Sequence, residues 1–189
     1  IEGVSDTISC WTKHSGGGAG RMVYTEDGQC PHWLIPRVYF YDILSESDHN
    51  ISVLCIEKCD VSLMDVHKAC LRDESTFNDF VKYVDFITSA WMLLSRVATE
   101  TTLYTRDWRS RNLMLTSSPT APEVKLVHWV DIMNAPDKSQ YARVEHAHSS
   151  LMNSLRCYSE NLPHAKLVNE LVHICEDWWR PHHVFNSKG

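Results

Sequence analysis

Apolar and polar positions along this chain recur with two different periods, and the switches between them set out the expected elements. Residues 38–44 (V-Y-F-Y-D-I-L) are aromatic and β-branched and predict a strand. The polar stretch 45–50 predicts a turn. Residues 51–57 (I-S-V-L-C-I-E) predict a second strand, more continuously apolar and therefore internal. Together the two predict an antiparallel hairpin. A short helix is expected over 63–71. Asp73, Ser75 and Thr76 are each suited to cap a longer helix, in which Phe77, Phe80, Val81, Val84, Ile87, Trp91, Leu94 and Val97 recur every three or four residues. That stripe predicts a core-facing helix.

A polar loop follows. Then come an expected strand over 112–115, a turn over 116–123 with two prolines, and a return strand over 124–129 (V-K-L-V-H-W). Two helices are predicted in the C-terminal third. The first covers 142–158, with Val144, Leu151 and Leu155 on one face. The second has Pro163 as its first residue, carries Leu167, Val168, Leu171, Val172, Cys175 and either Trp178 or Trp179, and ends at Pro181. The tail from His182 is expected to fray. Residues 1–36 have the weakest pattern, with a short strand over 7–12 and a glycine-rich loop over 15–20. The expectation is an α+β fold in which a poorly defined N-terminal segment, 1–36, precedes one domain over 37–189.

Composition narrows the function classes. A chain of 189 residues with 43% apolar content, seven Trp and seven Tyr has ample material for one core. Its net charge of −6 argues against a general nucleic-acid binder or an anionic-membrane binder. No apolar run reaches the ~18 residues of a membrane helix, so the chain is not expected to be membrane-embedded. The seven cysteines are scattered with no C-x-x-C pair. Cys55 and Cys59 are too far apart along a strand to bridge each other, so free thiols in a reducing intracellular compartment are the simplest reading. The first residue is Ile1, which reads as a processed form or a piece of a longer protein and leaves organellar import after processing open.

The polar loop carries the candidate chemistry. Residues 105–115 read T-R-D-W-R-S-R-N-L-M-L, with Asp107 and Asn112 five positions apart, Arg106 before the Asp and Arg109 two after it. This resembles the catalytic loop of the protein kinase fold, H-R-D-L-K-x-x-N followed by an apolar strand. The resemblance implies that Asp107 accepts a substrate hydroxyl proton, that Asn112 holds a magnesium ion, and that Arg109 stands where the loop carries Lys or Arg. The stretch from Ile56 to Leu63 (I-E-K-C-D-V-S-L) resembles the kinase hinge and implies that Glu57 and Cys59 offer backbone groups to adenine. The expected fold is then kinase-like, a β-hairpin leading into a mainly helical, reduced C-lobe, matched over about half the chain.

The departures matter as much as the matches. The return strand V-K-L-V-H-W follows the family's V-K-L-I-D-F-G only through Val127. His128 stands where the metal-binding Asp belongs, and imidazole is a poor ligand for a hard oxygen-seeking cation. Asp131 lies three residues on, a possible displaced ligand, although such an offset flips a strand residue to the other face. The bunched glycines of 15–20 lack the G-x-G-x-x-G spacing, and no V-A-I-K strand follows them.

These features imply a kinase-like domain with little or no activity, a pseudokinase that needs no cofactor and works as a binding or structural module for protein partners. The alternative is an active, divergent phosphotransferase that takes ATP and Mg²⁺, with Asp107 as base and Asn112 and Asp131 as metal ligands. A third reading, an unrelated α+β protein, predicts that Asp107 and Asn112 lie apart. Glu145-His146-Ala147-His148 reads as a solvated helix start rather than a metal site, and Trp178-Trp179-Arg180 as core plus rim with the composition of an interface anchor.

Overall fold

The computed structural model describes residues 33–36, 38–46, 49–105, 107–117, 122–127, 133–156 and 161–183. The predicted strand over 7–12 and the glycine loop over 15–20 lie outside them. Strands β1 (Val38–Glu46) and β2 (His49–Ile56) form the expected antiparallel hairpin. Their pairing runs out to Glu46 opposite His49, so most of the polar stretch 45–50 is strand rather than turn. Backbone pairing in a two-stranded ribbon can continue up to a two-residue connection, so polarity alone did not mark the turn.

Strand β3 (Cys59–Ser62) leads directly into α1 (Leu63–Cys70). Ser62 closes a capping box there. Its hydroxyl accepts from Asp65 N at 3.1 Å, and the Asp65 carboxylate accepts from Ser62 N at 3.2 Å. Helix α2 (Phe77–Glu100) starts at Thr76, the last of the three predicted caps, whose backbone N–H donates to Asp79 at 2.8 Å. Two short strands, β4 (Leu103–Tyr104) and β7 (Met133–Asn134), pair antiparallel, and β3, β5 (Leu113–Thr116) and β6 (Val124–Leu126) form an antiparallel sheet in the order β3-β5-β6. Helix α3 (Gln140–Leu155), capped by Ser139, and helix α4 (Ala165–His183) complete the architecture. Among the described residues it is α+β, with small antiparallel sheets and four α-helices.

The core gathers round α2, which touches α1, α3, α4 and β6. Its buried face is rotated from the predicted stripe. Ile87, Trp91, Leu94 and Val97 are buried as expected, joined by Tyr83, Phe86, Ala90 and Leu93, whereas Phe77 and Val81 are exposed. In the first turns of α2 only Phe80 packs partly against the core, and Phe77 and Val81 lie on the side turned away from it. Tyr83 instead meets α1, where its hydroxyl bonds His67 Nδ1 at 2.7 Å. Leu34 and Ile35, from the stretch with the weakest sequence pattern, are fully buried in this core, and the Leu34 carbonyl accepts from Leu126 N at 2.8 Å.

Burial, helped by the Lys68 charge, pushes His67 down from 6.5 to about 4. The folded state therefore holds the neutral imidazole, and this site loses stability as pH falls from about 6.5 toward 4. Tyr83→Phe is expected to cost about 1–2 kcal/mol in urea unfolding, because it removes the hydroxyl from a buried imidazole. A loss below about 0.5 kcal/mol, the range of ordinary surface substitutions, would show that the pair does not hold α1 to α2.

Two C-terminal expectations change. Helix α4 begins at Ala165, after Pro163, because the His164 carbonyl takes the first helical bond from Val168 N at 2.9 Å. It also runs through Pro181 to His183. Proline has no N–H to donate, so the helix continues there one intrahelical bond short. The motif around His146 is not a solvated helix start either. It lies in the middle of α3, where Ala147 and His148 are buried and only Glu145 faces water.

Candidate functional site

The loop between β4 and β5 is held at both ends before any functional side chain is placed. At its entry, Thr101 Oγ1 donates to Val97 O at 2.6 Å and accepts from Leu103 N at 3.1 Å, turning the chain out of α2. Arg143 of α3 donates from one guanidinium nitrogen to Ala98 O and Thr101 O, each at 3.1 Å. A cation there satisfies carbonyls that the helix end leaves open and complements its dipole. At the exit, residues Ser110–Asn112 make a single 3₁₀ turn closed by Asn112 N to Arg109 O at 2.8 Å. Ser110 N donates to Ser154 Oγ of α3 at 2.9 Å, and Val127 N donates to Asn112 O at 2.8 Å. Trp108 is buried beneath the loop.

Asp107 and Asn112 come together. The Asn112 side-chain amide donates to the Asp107 carbonyl at 3.3 Å, and both residues are buried. Arg109 grips the Asp107 carboxylate with two parallel bonds, Nε to Oδ1 and a terminal nitrogen to Oδ2, each 2.5 Å. The Asp107 side chain is 6% exposed and that of Arg109 47%. The guanidinium bonds hold the Asp107 carboxyl down at about 2, against the opposing pull of burial, with a smaller contribution from Asn112. At neutral pH the group is fully ionised, and each of its oxygens is engaged by Arg109. A base poised so far below the working pH has little drive to take a hydroxyl proton.

The hinge-like residues sit on the same sheet. Cys59 opens β3 and pairs with Thr116, at the end of β5 remote from Asn112, so about 10 Å of strand separates it from the loop. Glu57 precedes β3, and its carbonyl accepts from the Cys59 thiol at 3.7 Å. Burial, then the Glu57 and Asp60 charges, raise that thiol above its ordinary value. Ser117 ties the segment down further. Its N–H donates to Lys58 O at 3.1 Å and its hydroxyl to Asp60 at 2.6 Å. Arg106, His128 and Asp131 lie outside the described residues. Among the described residues no group of three His, Cys, Asp or Glu side chains is arranged to hold a metal ion.

Three features were not anticipated. Lys125, on β6, is buried and reaches the Glu123 carboxylate at 2.6 Å, although the strand's alternation carried no sign of an inward lysine. Trp91, His148 and Trp179 stack on one another, with centroids 4.6 Å apart for Trp91–His148 and 4.4 Å for Trp91–Trp179. A groove of about 560 Å³ lies between α2 and the end of the β5–β6 connection, lined by Trp33, Met92, Arg96, Glu100 and Glu123. Arg96 there lies 4.1 Å over the Trp33 ring. No residue of the Asp107 loop lines it, so this groove and the candidate chemistry are on different parts of the surface.

A scan against models of known protein families finds no match to this chain, and a search of curated proteins finds none either.

Proposed function

We propose that this chain is a kinase-like module that has given up phosphoryl transfer and serves as a binding or structural unit for protein partners. The observation that carries this reading is the Arg109 clamp on Asp107, which occupies both oxygens of the would-be base and holds its carboxyl at about 2. Phosphoryl transfer rests on positioning and charge stabilisation, and it needs a phosphate clamp and a metal-binding carboxylate. The sequence offers neither a Lys strand nor an Asp at position 128.

The kinase-like part of the proposal draws support from element order. A hairpin, a hinge-like strand, a short helix, a long helix, the Asp-Asn loop and a second hairpin follow one another as the resemblance implies. The same Asp107–Asn112 bond keeps a second reading in play, an active phosphotransferase with Asn112 and Asp131 as ligands. Calorimetry separates the two. The inactive module is expected to show no magnesium-dependent ATP binding at millimolar nucleotide. Magnesium-dependent binding, with phosphorylation abolished by Asp107→Asn in a folded chain, would replace it with the active enzyme.

A further inference from the structure

Helix α4 carries two apolar stripes. Ala165, Val168, Val172, Cys175 and Trp179 alternate in steps of three and four and are buried against the body of the fold. Leu167, Leu171, Ile174 and Trp178 alternate in steps of four and three, the spacing of a helix-packing seam, and this second stripe faces outward, with Leu171 half-buried within it. Leu167 is 42% exposed, Ile174 64% and Trp178 54%. Scattered apolar residues on a surface are ordinary, but a regular row ending in a tryptophan is not.

The row is continued by the neighbouring helix. Phe80 of α2 meets His164 at 5.7 Å, and Trp91 meets Trp179 at 4.4 Å, so α2 and α4 lie side by side and run in the same direction. Phe77 and Val81, which flank Phe80 on the helix surface, are 79% and 42% exposed. The two helices thus present a joined apolar face with a valley between parallel axes, a shape that accepts a third helix.

Charge selects the occupant. Glu170 and Asp177 each precede a residue of the outer stripe and border it on the side away from the core, and Asp85 continues the row of Phe77 and Val81. All three are exposed, while Lys166 and His173 stand farther round α4. A second copy fits poorly, since antiparallel pairing of two α4 stripes brings Glu170 against Asp177 of the other copy. Residues 1–32 fit poorly too, with Glu2, Asp6, Glu26 and Asp27 against Lys13 and Arg21.

We propose that the outer face of α2 and α4 is a docking surface for an amphipathic helix of a partner protein whose apolar stripe is flanked by Lys or Arg. This builds on the reading of the chain as a binding module by naming the surface and the partner's chemistry. It does not depend on the fate of ATP at Asp107.

The test uses the full chain and two labelled synthetic peptides about three heptads long. Both have leucine at the a and d positions, one with lysine and the other with glutamate at the flanking positions. The lysine peptide is expected to bind at least about tenfold tighter in fluorescence anisotropy. Leu167→Asp with Ile174→Asp, both at exposed positions, should weaken it by about tenfold or more, with unchanged circular dichroism and Tm. Glu170→Lys with Asp177→Lys, a surface change that leaves packing untouched, should invert the preference between the peptides.

Equal binding of both peptides, or indifference to the charge swap, overturns the proposal. So does self-association of the chain that the Leu167/Ile174 variant abolishes, which assigns the face to a second copy. Binding that appears only after removal of residues 1–32 assigns it to that segment. ATP calorimetry on the same samples reports separately on the kinase-like reading.

Discussion

Trp91→Ala is expected to lower the unfolding free energy by about 4–5 kcal/mol, at the upper end of large-to-small core substitutions. Trp91 is almost completely buried and packs against two further rings, Trp179 at 4.4 Å and His148 at 4.6 Å. Offset stacking adds about 0.5–1.5 kcal/mol per pair beyond the burial of area. The Trp91 indole N–H has no hydrogen-bond partner among the described residues, so packing rather than polar contact holds the ring. Single domains carry about 5–15 kcal/mol in all, so the variant stands near its unfolding threshold at physiological temperature. For a chain of this size the loss corresponds to a fall in Tm of roughly 10–15 °C. Trp178→Ala is the internal control. Its ring is on the outer stripe of α4, and the expected loss is about 1 kcal/mol or less. Equal losses at Trp91 and Trp178 would mean that the stack is not the keystone of the three-helix core.

The pairing of Trp178 and Trp179 also shows where sequence reasoning stops. A helix with one apolar stripe announces its buried face, but α4 has two. Leu167 and Leu171 are as apolar as Val168 and Val172, so period alone admits either tryptophan as the inner one. The choice is made by His148, whose flat ring stacks on Trp179 at 5.5 Å. Histidine is a polar letter in any hydrophobic pattern, which is why its neighbourhood reads as solvated. The same blindness hid Lys125, since a strand of three residues has too few alternations to show that a lysine points inward.

Chain order and helix capping were more legible. Thr76, one of the three expected caps, acts locally, through a bond within three residues, and Ser62 and Ser139, which were not singled out, cap their helices by bonds of the same span. The candidate site divides the same way. The spacing of Asp107 and Asn112 is a local property of one loop, and the two meet at 3.3 Å. The Arg109 clamp is also short-range, but it follows no helical or strand period, and only the turn geometry brings the guanidinium back over the carboxylate. His128 and Asp131, on which the metal question turns, lie outside the described residues.

Removing the clamp should be visible both in stability and in its dependence on pH. In the unfolded chain Asp107 titrates near 3.8, and in the folded chain near 2. Between these values the unfolded state binds more protons, so stability rises with pH there. The contribution is complete above about pH 4 and is lost as pH falls through about 2. A shift of this size in a carboxylate that is 6% exposed is worth about 2 kcal/mol at neutral pH. Arg109→Ala removes its largest cause and leaves burial opposed only by Asn112 and the loop. The variant is expected to lose about 2 kcal/mol at pH 7 and to show a flattened acid limb below pH 4. Asp107→Asn breaks the same ion pair from the other side, so the two substitutions combined should cost far less than their sum. Urea unfolding of the four chains at pH 7 and pH 3 completes the cycle. A coupling energy below about 0.5 kcal/mol at pH 7 would mean that Arg109 does not hold Asp107 in solution. The case for an inactive site would then have to rest on His128 and on the absence of a Lys strand from the sequence.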